Sequence, residues 1–212
     1  SLLANQTTPL DQLYITLPRM KWILPKDEPI IYKIPRFLED MMQRDPRVII
    51  LRPQYDYGPV DKILHTLIKE SESTTDTETT FIYLDDDVTY DSAMVQNLVQ
   101  KGLEYPDSVI GFTGCTLRSH FRQVSHRFPK AEYDRHPNLY FITSGTKSLR
   151  KDEIVDVVQG FTGVLIRPQF FDLQEFLSLV ENVTSKDDIW KADDFIISGY
   201  LEYRNITRRV VL

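Results

Sequence analysis

Phe81-Ile82-Tyr83-Leu84-Asp85-Asp86-Asp87-Val88-Thr89 is the stretch that decides the fold. An apolar run, Thr80 to Leu84, ends abruptly in three carboxylates. Short apolar runs bounded by Asp, Gly or Pro read as strands. A run apolar at successive positions suits a strand covered on both faces, as in a largely parallel sheet. Adjacent anions repel each other and resist leaving water, so the triplet gains from a bound cation. In open α/β sheets, ligands bind beyond the carboxyl ends of the strands. Strand alternation continued through the triplet puts Asp85 and Asp87 on one side and Asp86 on the other.

Working outward, the same pattern recurs. Leu13 to Leu17 and Arg47 to Leu51 read as two earlier strands. Pro59 fits a first helical position, and Val60, Ile63, Leu64, Leu67 and Ile68 follow at helical spacing, with His65 on the exposed side. The polar run Glu70 to Thr79 reads as an exposed loop. Asp91 can cap a helix burying Met94, Val95, Leu98 and Val99. Later strands are expected at Val109 to Phe112, Leu139 to Thr143, Ile154 to Val158 and Thr162 to Ile166. Helices follow at Phe170 to Val180 and at Asp194 to Arg204, the last burying Phe195, Ile197, Tyr200 and Leu201. The βαβαβ first half predicts a doubly wound α/β architecture, a central mixed, mostly parallel sheet flanked by helices.

Composition narrows the function classes. The chain has 212 residues, 42% hydrophobic and 26% charged, enough apolar material for a sizeable core. A net charge of −6 argues against a general nucleic-acid binder. One cysteine, Cys115, excludes an internal disulfide and a cysteine-rich zinc site, and no histidine visibly activates it. No apolar run approaches the roughly 20 residues that cross a bilayer. Residues 1–5 carry no signal-peptide pattern, so the expected location is the cytoplasm. Three Asn-x-Thr sequons, at Asn5, Asn182 and Asn205, are accordingly read as chance matches. The expected organisation is one domain over 1–212, excised from a longer polypeptide, with Arg208-Arg209-Val210-Val211-Leu212 reading as a closing strand.

A strand ending in Asp-x-Asp serves two chemistries of phosphorylated substrates. One is glycosyl transfer from a sugar nucleotide, where the carboxylates hold a hard divalent cation. The other is phosphoryl transfer through an aspartyl-phosphate, read as Asp85-x-Asp87-x-Thr89. Thr143 or Ser144, Lys147 or Lys151, and Asp193-Asp194 would complete a phosphatase set. That set normally puts its nucleophile on the first strand, whereas two βα units precede Asp85. A binding module without turnover is the third reading.

Four segments taken together resemble the GT-A glycosyltransferases. The first is the triplet. The second is Asp56-Tyr57-Gly58-Pro59 with Lys62 after the second strand. The third is Gly160-Phe161-Thr162-Gly163-Val164-Leu165-Ile166-Arg167. The fourth is Asp193-Asp194-Phe195-Ile196-Ile197-Ser198-Gly199-Tyr200-Leu201. The likeness spans about residues 12–212, and within the family it is to the glycosyltransferase domains of chlorella-virus proteins that build capsid glycan. It implies a GT-A fold, a UDP-sugar donor (glucose or rhamnose), Mn²⁺ or Mg²⁺, an oligosaccharide or glycan acceptor, and retention of configuration.

The resemblance also assigns roles. Asp87 is the metal ligand, with Asp85 touching metal or ribose. Asp86 orients the donor sugar or a ligand. Thr16, Leu17, Pro18 and Arg19 line the nucleotide pocket, against the plainer reading of a turn with Arg19 solvated. Asp56 accepts from the uracil N–H, Tyr57 packs on a ring, and Lys62 either reaches a phosphate or faces solvent. Gly163 lies beside the donor sugar. One of Asp193 and Asp194 faces the sugar, as acceptor base or orienting anion, and the other caps the helix; Asp187-Asp188 is a rival pair. Trp190 offers an apolar platform for a sugar or packs in the core. The basic run from Arg118 through His126-Arg127 to Lys130 contacts diphosphate, helps metal coordination, or is a mobile basic loop.

Overall fold

The computed structural model describes residues 5–20, 31–72, 79–117, 141–145, 152–184 and 193–211. Trp190, Asp187, Asp188, Lys147, Lys151 and the basic run 118–130 lie outside them. Ten strands are described: β1 Leu13–Thr16, β2 Val48–Leu51, β3 Phe81–Tyr83, β4 Ser108–Gly111, β5 Thr113–Leu117, β6 Phe141–Gly145, β7 Glu153–Ile154, β8 Val157–Val158, β9 Val164–Ile166 and β10 Thr207–Val210. Five α-helices accompany them: α1 Arg36–Arg44, α2 Asp61–Glu72, α3 Met94–Glu104, α4 Leu173–Thr184 and α5 Asp193–Tyr203. The molecule is mixed α/β.

The strands form three hydrogen-bonded sheets among the described residues: β1-β2, β3-β9-β4-β10-β7 and β6-β5-β8. The central sheet is mixed, as expected from the sequence, but among the described residues it is not mostly parallel. Only β1 with β2 and β4 with β10 run parallel; the other five pairings are antiparallel. The reason is that β9 inserts antiparallel between β3 and β4. The stretch expected as one strand, Ile154 to Val158, is divided. β7 pairs with β10, Val155 is buried, and the Asp156 N–H donates to the Cys115 carbonyl as the chain crosses to β5.

Alternation along the central strands builds a core on each face. Val164 and Ile166 of β9 join one cluster while Leu165 joins another; Val109 and Ile110 of β4 divide the same way. The first cluster takes Val60, Ile63, Leu64 and Leu67 at α2, Phe176 and Val180 of α4, and Ile196, Ile197, Tyr200 and Leu201 of α5. The second takes Met94, Val95 and Leu98 of α3. At ~25 cal/mol per Å² of apolar area, these faces supply the main drive for folding. In α5 the buried apolar set begins at Ile196, not at Phe195, which is 43% exposed. Two further differences concern α2. A 3₁₀ turn, Gly58–Val60, precedes it, and its last turn runs to Glu72, into the expected loop. Asp91 holds the turn into α3, its carboxylate accepting the Ala93 N–H at 2.8 Å. The helix α1, with no buried residue, has no counterpart in the sequence reading.

Candidate functional site

The segments singled out in the sequence meet around the ammonium of Lys62. The turn that launches α2 comes first. The Asp56 carboxylate accepts the Gly58 N–H at 2.7 Å, and Gly58 takes φ +82°, a conformation that favours glycine. The Asp61 carboxylate accepts the Tyr57 N–H at 3.0 Å. Lys62 follows on the helix's first turn, and its side chain is only 18% exposed. It does not face solvent. Its Nζ lies 2.6 Å from Asp85 Oδ1 and 2.7 Å from Asp193 Oδ2, and 5.3 Å from the centre of the Tyr83 ring. The Asp85 contact is a hydrogen bond. The Asp193 contact is an ion pair by distance, with angles outside those of a hydrogen bond. Desolvation opposes the lysine's charge, but the two carboxylates outweigh it and hold its pKa above the ordinary value.

Asp85 lies two residues past the end of β3. The Tyr90 hydroxyl fixes its backbone twice, accepting its N–H and donating to its carbonyl, each at 2.9 Å. Asp86 and Asp87 stand exposed on the turn that follows. The strand ends at Tyr83, so the expected alternation through the triplet is replaced by turn geometry. Asp85 faces the lysine, while its neighbours face outward.

Asp193 and Asp194 open α5, where the helix dipole favours anions. Asp193 is buried against Lys62. Asp194 Oδ1 accepts the Gly160 N–H at 2.9 Å. Burial, and then the charge of Asp193, push the Asp194 carboxyl up to about 6, against the opposing pull of the Gly160 N–H and Lys62. Tyr83 is buried with its hydroxyl unpartnered among the described residues. Burial and the Asp194, Asp193 and Asp85 charges hold its pKa well above the ordinary value.

Glycine chemistry separates two positions. A Cβ on Gly160 would stand 2.8 Å from Tyr83 Cε2 and 2.9 Å from Lys62 Nζ. Gly160 is therefore the glycine that lets the backbone approach the site. Gly163, at φ +93°, sits against Leu84, Met94 and Leu98, so packing and backbone conformation account for it.

Thr16, Leu17, Pro18 and Arg19 continue beside β2. The Leu17 N–H donates to the Leu51 carbonyl at 3.0 Å and the Arg19 N–H to the Pro53 carbonyl at 2.7 Å. A bridge between Met20 and Tyr55 carries this ribbon to Asp56. No described hydrogen bond or ion pair joins these four residues to the carboxylate cluster. Tyr57 instead turns toward α4, its hydroxyl 3.3 Å from Glu181 Oε1, and its ring lies 6.1 Å from that of His65. His65, expected on an exposed face, is largely covered, with Nε2 3.1 Å from Asp61 Oδ1. Tyr90 and Tyr83 are the site residues that sequence reasoning passed over. Tyr83 had a signal, its place two residues before Asp85 on a buried strand; Tyr90 had none, since its bond depends on a turn.

No three His, Cys, Asp or Glu side chains among the described residues stand close enough to hold a metal ion unaided. The donor set is nonetheless of the right kind. Asp87 and the second oxygen of Asp85 are carboxylate oxygens, which suit Mg²⁺ or Mn²⁺, and such ions usually take the rest of their shell from water and substrate phosphates. Among the described residues no helix is long and apolar enough to cross a membrane. Compared with protein-family models and with curated proteins, the chain matches none.

Proposed function

We propose that the chain is a metal-dependent glycosyltransferase with a GT-A fold, moving a sugar from a UDP-sugar to a glycan acceptor. The observation that carries this reading is the convergence on Lys62. Segments far apart in sequence, carrying Asp85, Gly160 and Asp193-Asp194, supply one cluster of facing carboxylates, a close backbone approach and a buried cation. An α/β scaffold that places carboxylates past a strand end and opposite a helix N-terminus suits an anionic donor held through a cation.

In this reading Asp87 and Asp85 hold Mn²⁺ or Mg²⁺. When bound, the ion neutralises the diphosphate and stabilises the charge that develops on departing UDP. Lys62 pairs with Asp85 and Asp193 and holds the two in place. Asp86 orients the donor sugar from the exposed turn. Asp194, held by Gly160, faces the sugar as an orienting anion if configuration is retained and as the acceptor's base if it is inverted; retention is the outcome the family likeness favours. Thr16 to Arg19 and Asp56 form the nucleotide side of the site. Glucose or rhamnose is the sugar, and capsid glycan synthesis is the setting proposed.

Thermal unfolding with Mn²⁺ and a panel of UDP, GDP, CMP and UDP-sugars, with and without chelator, tests the donor site. A ligand at 100 times its Kd stabilises by about 2.7 kcal/mol. The expected result is a shift that needs both a UDP compound and metal, followed by release of UDP when glycan acceptors are added. A shift without turnover would make this a binding module. No nucleotide shift, with phosphate released from small phosphoesters, would replace the reading by a phosphatase.

A further inference from the structure

Five asparagines occur in the chain, and three of them, Asn5, Asn182 and Asn205, begin Asn-Gln-Thr, Asn-Val-Thr and Asn-Ile-Thr. Threonine occupies 17 of 212 positions, so five asparagines should yield about 0.4 such triplets by chance. Three is a several-fold excess. None has proline at the middle position, which would block modification.

The structure adds a second, independent observation: all three asparagines are exposed, at three separated places. Asn5 precedes Gln6 and Thr7, which are tied to the entry of α3 through Asp91 and Ser92. Asn182 lies in the last turn of α4, and its Nδ2 donates to the Ser178 carbonyl at 2.8 Å. A substituted amide keeps one N–H, so that bond survives glycan attachment. Asn205 follows α5 at φ +57°, a conformation asparagine tolerates better than most residues. It stands at the opposite end of α5 from Asp193, a helix length of about 16 Å. A glycan there is attached at the end of the helix remote from Asp193.

We propose that Asn5, Asn182 and Asn205 carry N-linked glycans, and that the chain is therefore made and works in a secretory lumen. This departs from the cytoplasmic expectation and does not depend on the donor reading. The modification needs a lipid-linked oligosaccharide diphosphate and its membrane transferase. The asparagine amide nitrogen bonds to the anomeric carbon, the bond from that carbon to the diphosphate oxygen breaks, the diphospholipid leaves, and the amide proton passes to a base of the transferase.

The test uses the full chain expressed from its gene in the cells it comes from, recovered with an epitope tag. Peptide:N-glycosidase treatment should lower its apparent mass and leave an Asn-to-Asp mass change at each of the three sites. The triple variant Asn5→Gln, Asn182→Gln, Asn205→Asp, with each change at an exposed position, should run at the deglycosylated mass before treatment. An intact mass equal to that of the bare polypeptide, unchanged by the enzyme, would overturn the proposal.

Discussion

Replacing Lys62 by methionine leaves Asp85 and Asp193 facing each other without their shared cation. Breaking a fully buried pair costs about 3–5 kcal/mol. Lys62 and its partners keep some exposure, so about 2 kcal/mol is expected in urea unfolding. Adding Asp193→Asn should recover part of that loss; a double variant no more stable than Lys62→Met would contradict the pairing. Asp194 sets a pH signature. Its native pKa, about 6, exceeds the ordinary value of 3.8, so the folded state holds the proton more tightly than the unfolded chain. Its contribution is greatest below the ordinary value and is lost as pH rises through about 6, a change of about 3 kcal/mol. Asp194→Asn keeps an acceptor for the Gly160 N–H and should flatten this slope. Wild-type kcat/KM should rise through the same pH range, because the proposed role needs the ionised form. The triplet was legible as a site because three anions after an apolar strand are costly. Lys62's position was not, because amphipathic spacing tells which helix face is apolar but not whether a stem bends inward.

At the scale of elements, the two glycines at α5 and its neighbour divide cleanly. A Cβ on Gly199 meets nothing within 4 Å, so Gly199→Ala should stabilise the helix by about 0.5–1 kcal/mol. Gly160→Ala must move either the Tyr83 ring or Lys62. It should lower stability and abolish most nucleotide-dependent thermal shift, whereas Gly199→Ala keeps the shift. An unchanged shift in Gly160→Ala would detach Gly160 from the site. Strands β1 to β4 and helices α2, α3, α4 and α5 were all readable from apolar spacing, to within a few residues. The break between β7 and β8 was not. Val155 is as apolar as its neighbours, and only the competition between β10 and β5 for the segment divides it.

For the whole molecule, Leu165 tests the two-faced core. It is buried at the centre of β9 and contacts the α3 layer, including the ground beside Gly102. Leu165→Ala should cost about 2–5 kcal/mol, while the exposed Leu103→Ala should stay within about 0.5 kcal/mol, both read from denaturant midpoints. Strand direction was the least legible feature. Alternating β and α segments imply parallel neighbours only when each crossover returns to the adjacent strand. Here β9 arrives from more than fifty residues downstream of β4 and enters between β3 and β4 the other way up.

The position of α5 and β10 bears on how the molecule comes into being. They are the last elements in the described sequence, yet β10 lies between β4 and β7, and α5 brings two of the site's carboxylates. A ribosome delivers residues in order. Until it has released these elements, β4 has an unoccupied edge and Lys62 lacks Asp193. The nascent chain therefore waits with an open seam, and sheet and pocket close together in one late event rather than maturing one after the other.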